Sequence, residues 1–166
     1  SMYAHRSYNE ICKDYNLHLK NSKLELIDIF DKIDIKFDVK PHPLEINESS
    51  IFKGRSVNHV FPGDTDIREY LHYYDLVITY GSTLTYDSIL QNTSVLVYRP
   101  PLVAWYPNIY DNKTLFPVAI SASEISSYIT NFHSREKAED INLQLANHIE
   151  ARNNVSKNIF ELIKSF

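Results

Sequence analysis

The sequence predicts an α/β protein: a Rossmann-like parallel sheet flanked by helices, with a long C-terminal helix. Three observations carry that expectation. Short apolar runs of strand length alternate with stretches of helical period, as βαβ units require. Turn-forming residues (Pro41 and Pro43, Pro62 with Gly63, and Gly81) punctuate the ends of those runs. The 166 residues are 43% hydrophobic and 23% charged, a balance that allows one buried core and argues against disorder. Residues 1–166 read as a single domain. Ser1-Met2 reads as a cleavage scar ahead of a piece of a longer protein.

Residues 7–33 are helical in character. Ser22 is placed to cap a helix in which Leu24, Ile27, Phe30 and Ile33 share one face. A domain of this class usually opens with a strand. Here a helix comes first, so the missing strand is expected upstream, or in the remnant Tyr3-Ala4-His5. Ile35, Phe37 and Val39 then alternate with Lys36, Asp38 and Lys40, a strand with one wetter face. Pro41 and Pro43 stop it, because proline cannot continue a ladder and restricts the residue before it. A second strand covers residues 57–61 and ends at Pro62-Gly63. Asp64 or Thr65 is placed to cap a helix bearing Ile67, Tyr70, Leu71 and Tyr74. The third strand, Leu76-Val77-Ile78-Thr79, is continuously apolar up to Thr79 and is expected to be buried on both faces. It leads through Tyr80-Gly81-Ser82-Thr83 into a helix ending near Leu90. A fourth strand covers residues 95–98, and a loop rich in proline and aromatics covers residues 100–110. A fifth strand covers residues 116–120. Ser121 and Glu124 form a capping box for a helix with Ile125, Tyr128, Ile129 and Phe132 inward. Residues 134–166 carry an amphipathic pattern through Ile141, Leu145, Ile149, Ile159, Leu162, Ile163 and Phe166.

Composition removes several classes of function. A net charge of −4 with scattered Lys and Arg does not build the basic face that nucleic acid requires. The single cysteine, Cys12, forms no intramolecular disulfide and no cysteine-based metal site, which fits a reducing cytoplasm. No apolar run reaches the roughly 18–20 residues of a membrane span. Neither a P-loop nor a Gly-x-Gly-x-x-Gly fingerprint is present, and the chain has only three glycines.

Three loops follow the carboxyl ends of strands, where open α/β sheets hold their ligands. In Lys40-Pro41-His42-Pro43 the prolines fix the backbone around His42. A histidine there can donate to a phosphate oxygen; the plainer alternative is a bond to a nearby carbonyl. In Tyr80-Gly81-Ser82-Thr83, Gly81 allows a tight turn, and Ser82 and Thr83 add hydroxyls to a helix start, a combination that suits an anion. The alternative makes Ser82 simply the N-cap, worth on the order of 1 kcal/mol. Asp87 lies one helical turn beyond Thr83 on the same face, placed to accept from ribose hydroxyls or to remain solvated. Arg99, just past the fourth strand, is a further phosphate candidate or a surface charge before Pro100-Pro101. Backbone groups from Phe61 to Thr65, Pro62 and Gly63 foremost, are candidates for contact with a base. His59 reads as structural, and the aromatic loop at residues 105–110 as an interface. No Asp/His cluster suggests a metal site.

Lys40-Pro41-His42-Pro43-Leu44-Glu45, Asp75-Leu76-Val77-Ile78-Thr79-Tyr80-Gly81-Ser82-Thr83 and Val95-Leu96-Val97-Tyr98 together resemble the C-terminal domain of GT-B glycosyltransferases of surface and capsular polysaccharide synthesis. Bacterial sialyl- and polysialyltransferases, Kdo transferases and teichoic acid glycerophosphotransferases are similar. In those sialyltransferases a His-Pro motif and a Ser-Ser/Thr motif hold the donor nucleotide; His42-Pro43 and Ser82-Thr83 match them in order, about forty residues apart. The resemblance covers residues 35–99. It implies a nucleotide-sugar donor domain with a CMP-sugar as donor and His42 as catalytic residue. It also implies metal-independent transfer with no cofactor, a cytoplasmic setting at the inner membrane face, and an acceptor glycan reached through a separate N-terminal domain. The family's acidic Asp/Glu-Asp/Glu-Gly motif belongs to that other domain; here Glu139-Asp140 is followed by Ile141, so the isolated chain is expected to lack the general base. CDP-glycerol and UDP-sugars remain alternatives. So does a degenerate, non-catalytic GT-B domain. An epimerase fits less well because it uses a Gly-Gly-rich turn, and a response-regulator module would need an acidic cluster at its first strand ends.

Overall fold

The structure is a computed structural model that describes residues 8–42, 51–100, 116–132 and, beyond them, 136–137, 139–140 and 142–143. The elements run α1 (Tyr8–Lys32), β1 (Phe37–Val39), β2 (Val57–Val60), β3 (Leu76–Thr79), α2 (Leu84–Leu90), β4 (Ser94–Tyr98), β5 (Val118–Ala119) and α3 (Ala122–Thr130). The chain is an α/β protein in the Rossmann-like manner, with parallel strands flanked by helices. Its strands form two small sheets, one of β1 and β2 and one in the order β3-β4-β5. The chain also divides into two compact units. The first comprises Ser1–Glu69, Arg99–Tyr106 and Ala119–Asn131; the second comprises Tyr70–Tyr98, Pro107–Val118 and Phe132–Phe166.

In the first unit α1 runs unbroken through Ser22, so the expected cap at that position is not one. Ser22 is buried, and its hydroxyl donates to the Leu19 carbonyl at 2.8 Å. Bonding back to the preceding turn satisfies the hydroxyl inside a helix, which removes the need for a start there. Ile27, Ile29 and Phe30 are buried, and Phe30 lies tilted against Phe37 of β1 with ring centroids 4.7 Å apart. α1 and α3 pack against one another. The helix closes with the Ile35 N–H bonded to the Phe30 carbonyl at 3.2 Å and Asp34 left-handed at φ 53°. β1 and β2 pair in parallel, Phe37 with Val57 and Val39 with Val60. Arg55 ties the entry of β2 to α1, its Nη1 donating to Asp28 Oδ1 at 2.6 Å and Asp31 Oδ2 at 3.2 Å. Asp31 also accepts the Ser56 N–H at 2.9 Å. These bonds, the Ser56 N–H foremost, hold the Asp31 carboxyl below its usual range. α3 opens with the expected box: Ser121 Oγ accepts the Glu124 N–H, and Glu124 Oε2 accepts an N–H in return. That N–H belongs to Ile120, one residue before the cap.

The second unit builds its core on Ile89, Val95, Val97 and Phe116, with Tyr86 edge-on to Phe116 at 5.5 Å. β3 and β4 pair in parallel, Leu76 with Ser94 through Thr79 with Val97, across the α2 crossover. The Val97 N–H bonds to the Pro117 carbonyl and the Arg99 N–H to the Ala119 carbonyl. Both strands advance two residues in the same direction between these bonds, so β5 is parallel as well. β3 is not buried on both faces: Leu76, Val77 and Ile78 are half-buried, whereas all five residues of β4 are buried. The reason is position, since β4 lies between β3 and β5. The helix expected over residues 65–74 is instead two short 3-10 turns, Ile67–Glu69 and Leu71–Tyr73. Asp66 accepts the Arg68 backbone and guanidinium N–H groups in place of a helical cap. Leu71 still enters the core, and its carbonyl accepts the Thr93 hydroxyl at 2.8 Å. The loop at residues 101–115, including the aromatic stretch 105–110, and most of the expected C-terminal helix lie outside the described residues.

Candidate functional site

The candidate residues fall into both units: His42, Pro62, Gly63 and Arg99 in the first, and Gly81, Ser82, Thr83 and Asp87 in the second.

In the first unit, His42 is exposed three positions beyond β1. Its loop is joined to the loop after β2 by Lys40. The ammonium donates to the Pro41 carbonyl at 3.0 Å and to the Gly63 carbonyl at 2.6 Å. One turn earlier in the ladder, the Phe61 N–H donates to the Val39 carbonyl at 2.9 Å. The carboxyl ends of two parallel strands are thereby held side by side, with Pro41-His42 on one and Pro62-Gly63 on the other. Two carbonyls expected to face a base are already engaged, Gly63 by Lys40 and Pro62 by the Thr65 N–H at 3.1 Å. Arg99 follows β4 directly and is half-buried, its N–H on the Ala119 carbonyl at 2.8 Å. His59 is exposed and packs edge-on against Phe61 at 4.6 Å, in keeping with a structural role.

In the second unit, the turn after β3 is built around two buried hydroxyls. Thr79 Oγ1 accepts the Gly81 N–H at 3.1 Å and lies 2.9 Å from Thr85 Oγ1. Thr79 ends the strand and Thr85 is the second residue of α2, so this pair fixes both sides of the turn. Gly81 takes φ 81°, a region that side chains beyond glycine enter at a cost. Ser82 and Thr83 are exposed. The reading of Ser82 as N-cap does not hold: the cap is Thr83, in helical conformation and with no side-chain cap bond. The Ser82 and Thr83 carbonyls accept the N–H groups of Thr85, Tyr86 and Asp87, so the helix start is closed by backbone bonds. The Asp87 N–H on the Thr83 carbonyl sets Asp87 one turn beyond Thr83, where it is half-buried. Tyr80 lies against buried Tyr98, with ring centroids 5.4 Å apart.

Three residues escape the sequence reading. Lys40 reads there as the wet face of a strand, and Thr79 and Thr85 as ordinary members of their elements. The available signal was a threonine ending an apolar run, with a second threonine six positions on across a glycine. No group of three or more His, Cys, Asp or Glu able to hold a metal ion occurs among the described residues. No helix among them is long and apolar enough to cross a membrane. No family model, curated protein or solved structure matches the chain, so the functional reading rests on its own residues and their geometry.

Proposed function

We propose that this chain is the donor-binding domain of a glycosyltransferase of surface-polysaccharide synthesis, and that it holds the phosphate of a nucleotide sugar. The observation that carries this reading is the turn Gly81-Ser82-Thr83. It stands at the carboxyl end of a parallel strand, held from beneath by the Thr79–Thr85 pair, with two exposed hydroxyls that do not cap the helix. Exposed hydroxyls on a turn whose backbone is fixed in this way can donate to an anionic oxygen. His42, exposed at the carboxyl end of another parallel strand, supplies a further ring N–H able to donate to a phosphate oxygen. The resemblance of the His-Pro and Ser-Thr motifs to those of the GT-B sialyltransferases makes a CMP-sugar the donor of choice. The base that deprotonates an acceptor hydroxyl belongs, on this reading, to a separate acceptor domain.

The test is a titration of the chain with CMP, CDP, UMP and UDP, followed by amide shifts and calorimetry. Selective binding of CMP, weakened about tenfold or more in His42→Ala and in the Ser82→Ala, Thr83→Val double variant, is the expected result; a hydrogen bond to a charged group is worth roughly 1.5–3 kcal/mol. Preference for CDP moves the assignment to glycerophosphate transfer. Equal and unselective binding of all four, insensitive to these substitutions, defeats the proposal.

A further inference from the structure

We propose that Lys40 is an anion-binding residue, its ammonium meeting a phosphate oxyanion where the ends of β1 and β2 are stitched together. The inference rests on the donor-binding reading only for the identity of the ligand; the charge and its placement stand by themselves.

Lys40 is half-buried and directly follows β1. Its Nζ donates to the Pro41 carbonyl at 3.0 Å and the Gly63 carbonyl at 2.6 Å. An ammonium has three N–H donors, so two neutral carbonyls leave one of them for a further acceptor. Neither carbonyl removes the charge. Ion pairs among the described residues include those of Arg55 with Asp28 and Asp31 and of Arg68 with Asp66, and none of these involves Lys40. A cation partly withdrawn from water is costly and is normally offset by a carboxylate. Among the described residues of this acidic chain of net charge −4, the acceptors of this cation are the two carbonyl oxygens, at the carboxyl ends of the strands where α/β sheets bind their ligands.

The carbonyls also change what binding costs. A surface lysine loses rotamer freedom when it grips a phosphate. Lys40 is already fixed by bonds to two loops, so that loss is taken on folding. A lysine acts on phosphate as a point charge and needs no bidentate geometry, which suits one remaining N–H. The two loops it joins carry His42 and Pro62-Gly63. An oxyanion seated there meets the Lys40 ammonium on the loop that also carries His42. The chemical class of ligand is therefore a phosphate or pyrophosphate oxyanion, free or as part of a nucleotide.

The test uses the full 166-residue chain at low salt. Inorganic phosphate, pyrophosphate and CMP are titrated into wild type, Lys40→Met and Lys40→Arg, with affinity read by calorimetry. The side-chain ε-carbon signal of Lys40 is followed in 13C-lysine-labelled wild type. We expect that signal to move with phosphate, the Lys40→Met affinity for phosphate to fall about 10-fold or more, and Lys40→Arg to recover most of it. A purely structural staple gives a different pattern: Lys40→Met melts at lower temperature, keeps its phosphate affinity, and the ε-carbon signal stays still. That pattern overturns the proposal, as does failure of wild type to bind phosphate or pyrophosphate at about 10 mM. If Lys40→Met does not fold, the labelled wild-type signal decides alone. Phosphate binding at Lys40 without any preference for CMP sinks the donor reading and leaves this one standing. CMP binding equal in wild type and Lys40→Met does the reverse.

Discussion

Gly81 and Asp34 occupy the same left-handed backbone region, at φ 81° and φ 53°, and their chemistry predicts opposite responses to exchange. Gly81→Ala places a Cβ where the backbone disfavours one and is expected to cost roughly 1–2 kcal/mol. Asp34→Gly relieves that same strain just after α1, at some loss of chain entropy, for an expected gain of about 0.5–1 kcal/mol. Paired thermal melts check both signs, and a fall in stability for Asp34→Gly refutes the second. Asp31 adds a pH dependence. Its carboxyl is held low by the Ser56 N–H first and by Arg55. A group depressed in the folded state stabilises above its unfolded pKa, about 3.9 for Asp, and that contribution is lost as pH falls through the lower folded value. Wild type should therefore exceed Asp31→Asn in urea stability near neutrality, and the gap should close in strong acid. A gap that persists in strong acid means the carboxylate charge is not its source.

At the scale of elements, the turn between β3 and α2 is the feature that side-chain detail decides. Thr79→Val strands both the Gly81 N–H and the Thr85 hydroxyl, whereas Thr85→Val leaves Thr79 still accepting from Gly81. Leaving a buried donor without a partner costs about 1–3 kcal/mol, so Thr79→Val should be the more damaging of two equal-volume changes. Chemical denaturation of both variants checks the order, and equal losses would show that the Gly81 bond contributes little. Much of the element pattern was legible beforehand. The runs at residues 37–39, 57–60, 76–79 and 94–98 are strands because β-branched and apolar residues stop at Pro, Gly or polar turns. The stretch around Ile67 and Leu71 has helical spacing, but that spacing is equally satisfied by the 3-10 turns it forms. There Asp66 binds Arg68 across two residues, a local bond that competes with helix.

For the whole molecule, each unit must hold its own small core, and the second concentrates it on Ile89, Val95, Val97 and Phe116. Ile89 is 2% exposed on a seven-residue helix that could not persist alone. Ile89→Ala should cost about 2–5 kcal/mol, enough to unfold much of a marginal domain. Amide exchange across β3 and β4 should then accelerate together; a change confined to α2 would show that the helix opens independently of its sheet. Ligand binding offers the counterpart, since anything bound only to the folded chain raises its melting temperature in proportion to the logarithm of concentration. A phosphate-dependent rise in the melt is thus a quick first indication of an anion site in either unit.

Local sequence pattern is enough to give the α/β class, the parallel strand pattern, the Ser121–Glu124 start of α3, and the position of His42 and Gly81-Ser82-Thr83 at strand ends. These depend on periodicity, on proline and glycine, and on bonds between residues a few positions apart. The three-dimensional arrangement is needed to show that β4 rather than β3 is the buried strand, that Ser22 bonds back within α1, that Lys40 joins two loops twenty-three positions apart, and that Thr79 and Thr85 share a buried bond. Burial depends on which strand lies in the middle of a sheet, and a long side chain's partner depends on which loops meet. Both are set by chain segments distant in sequence, so no local window of residues contains them.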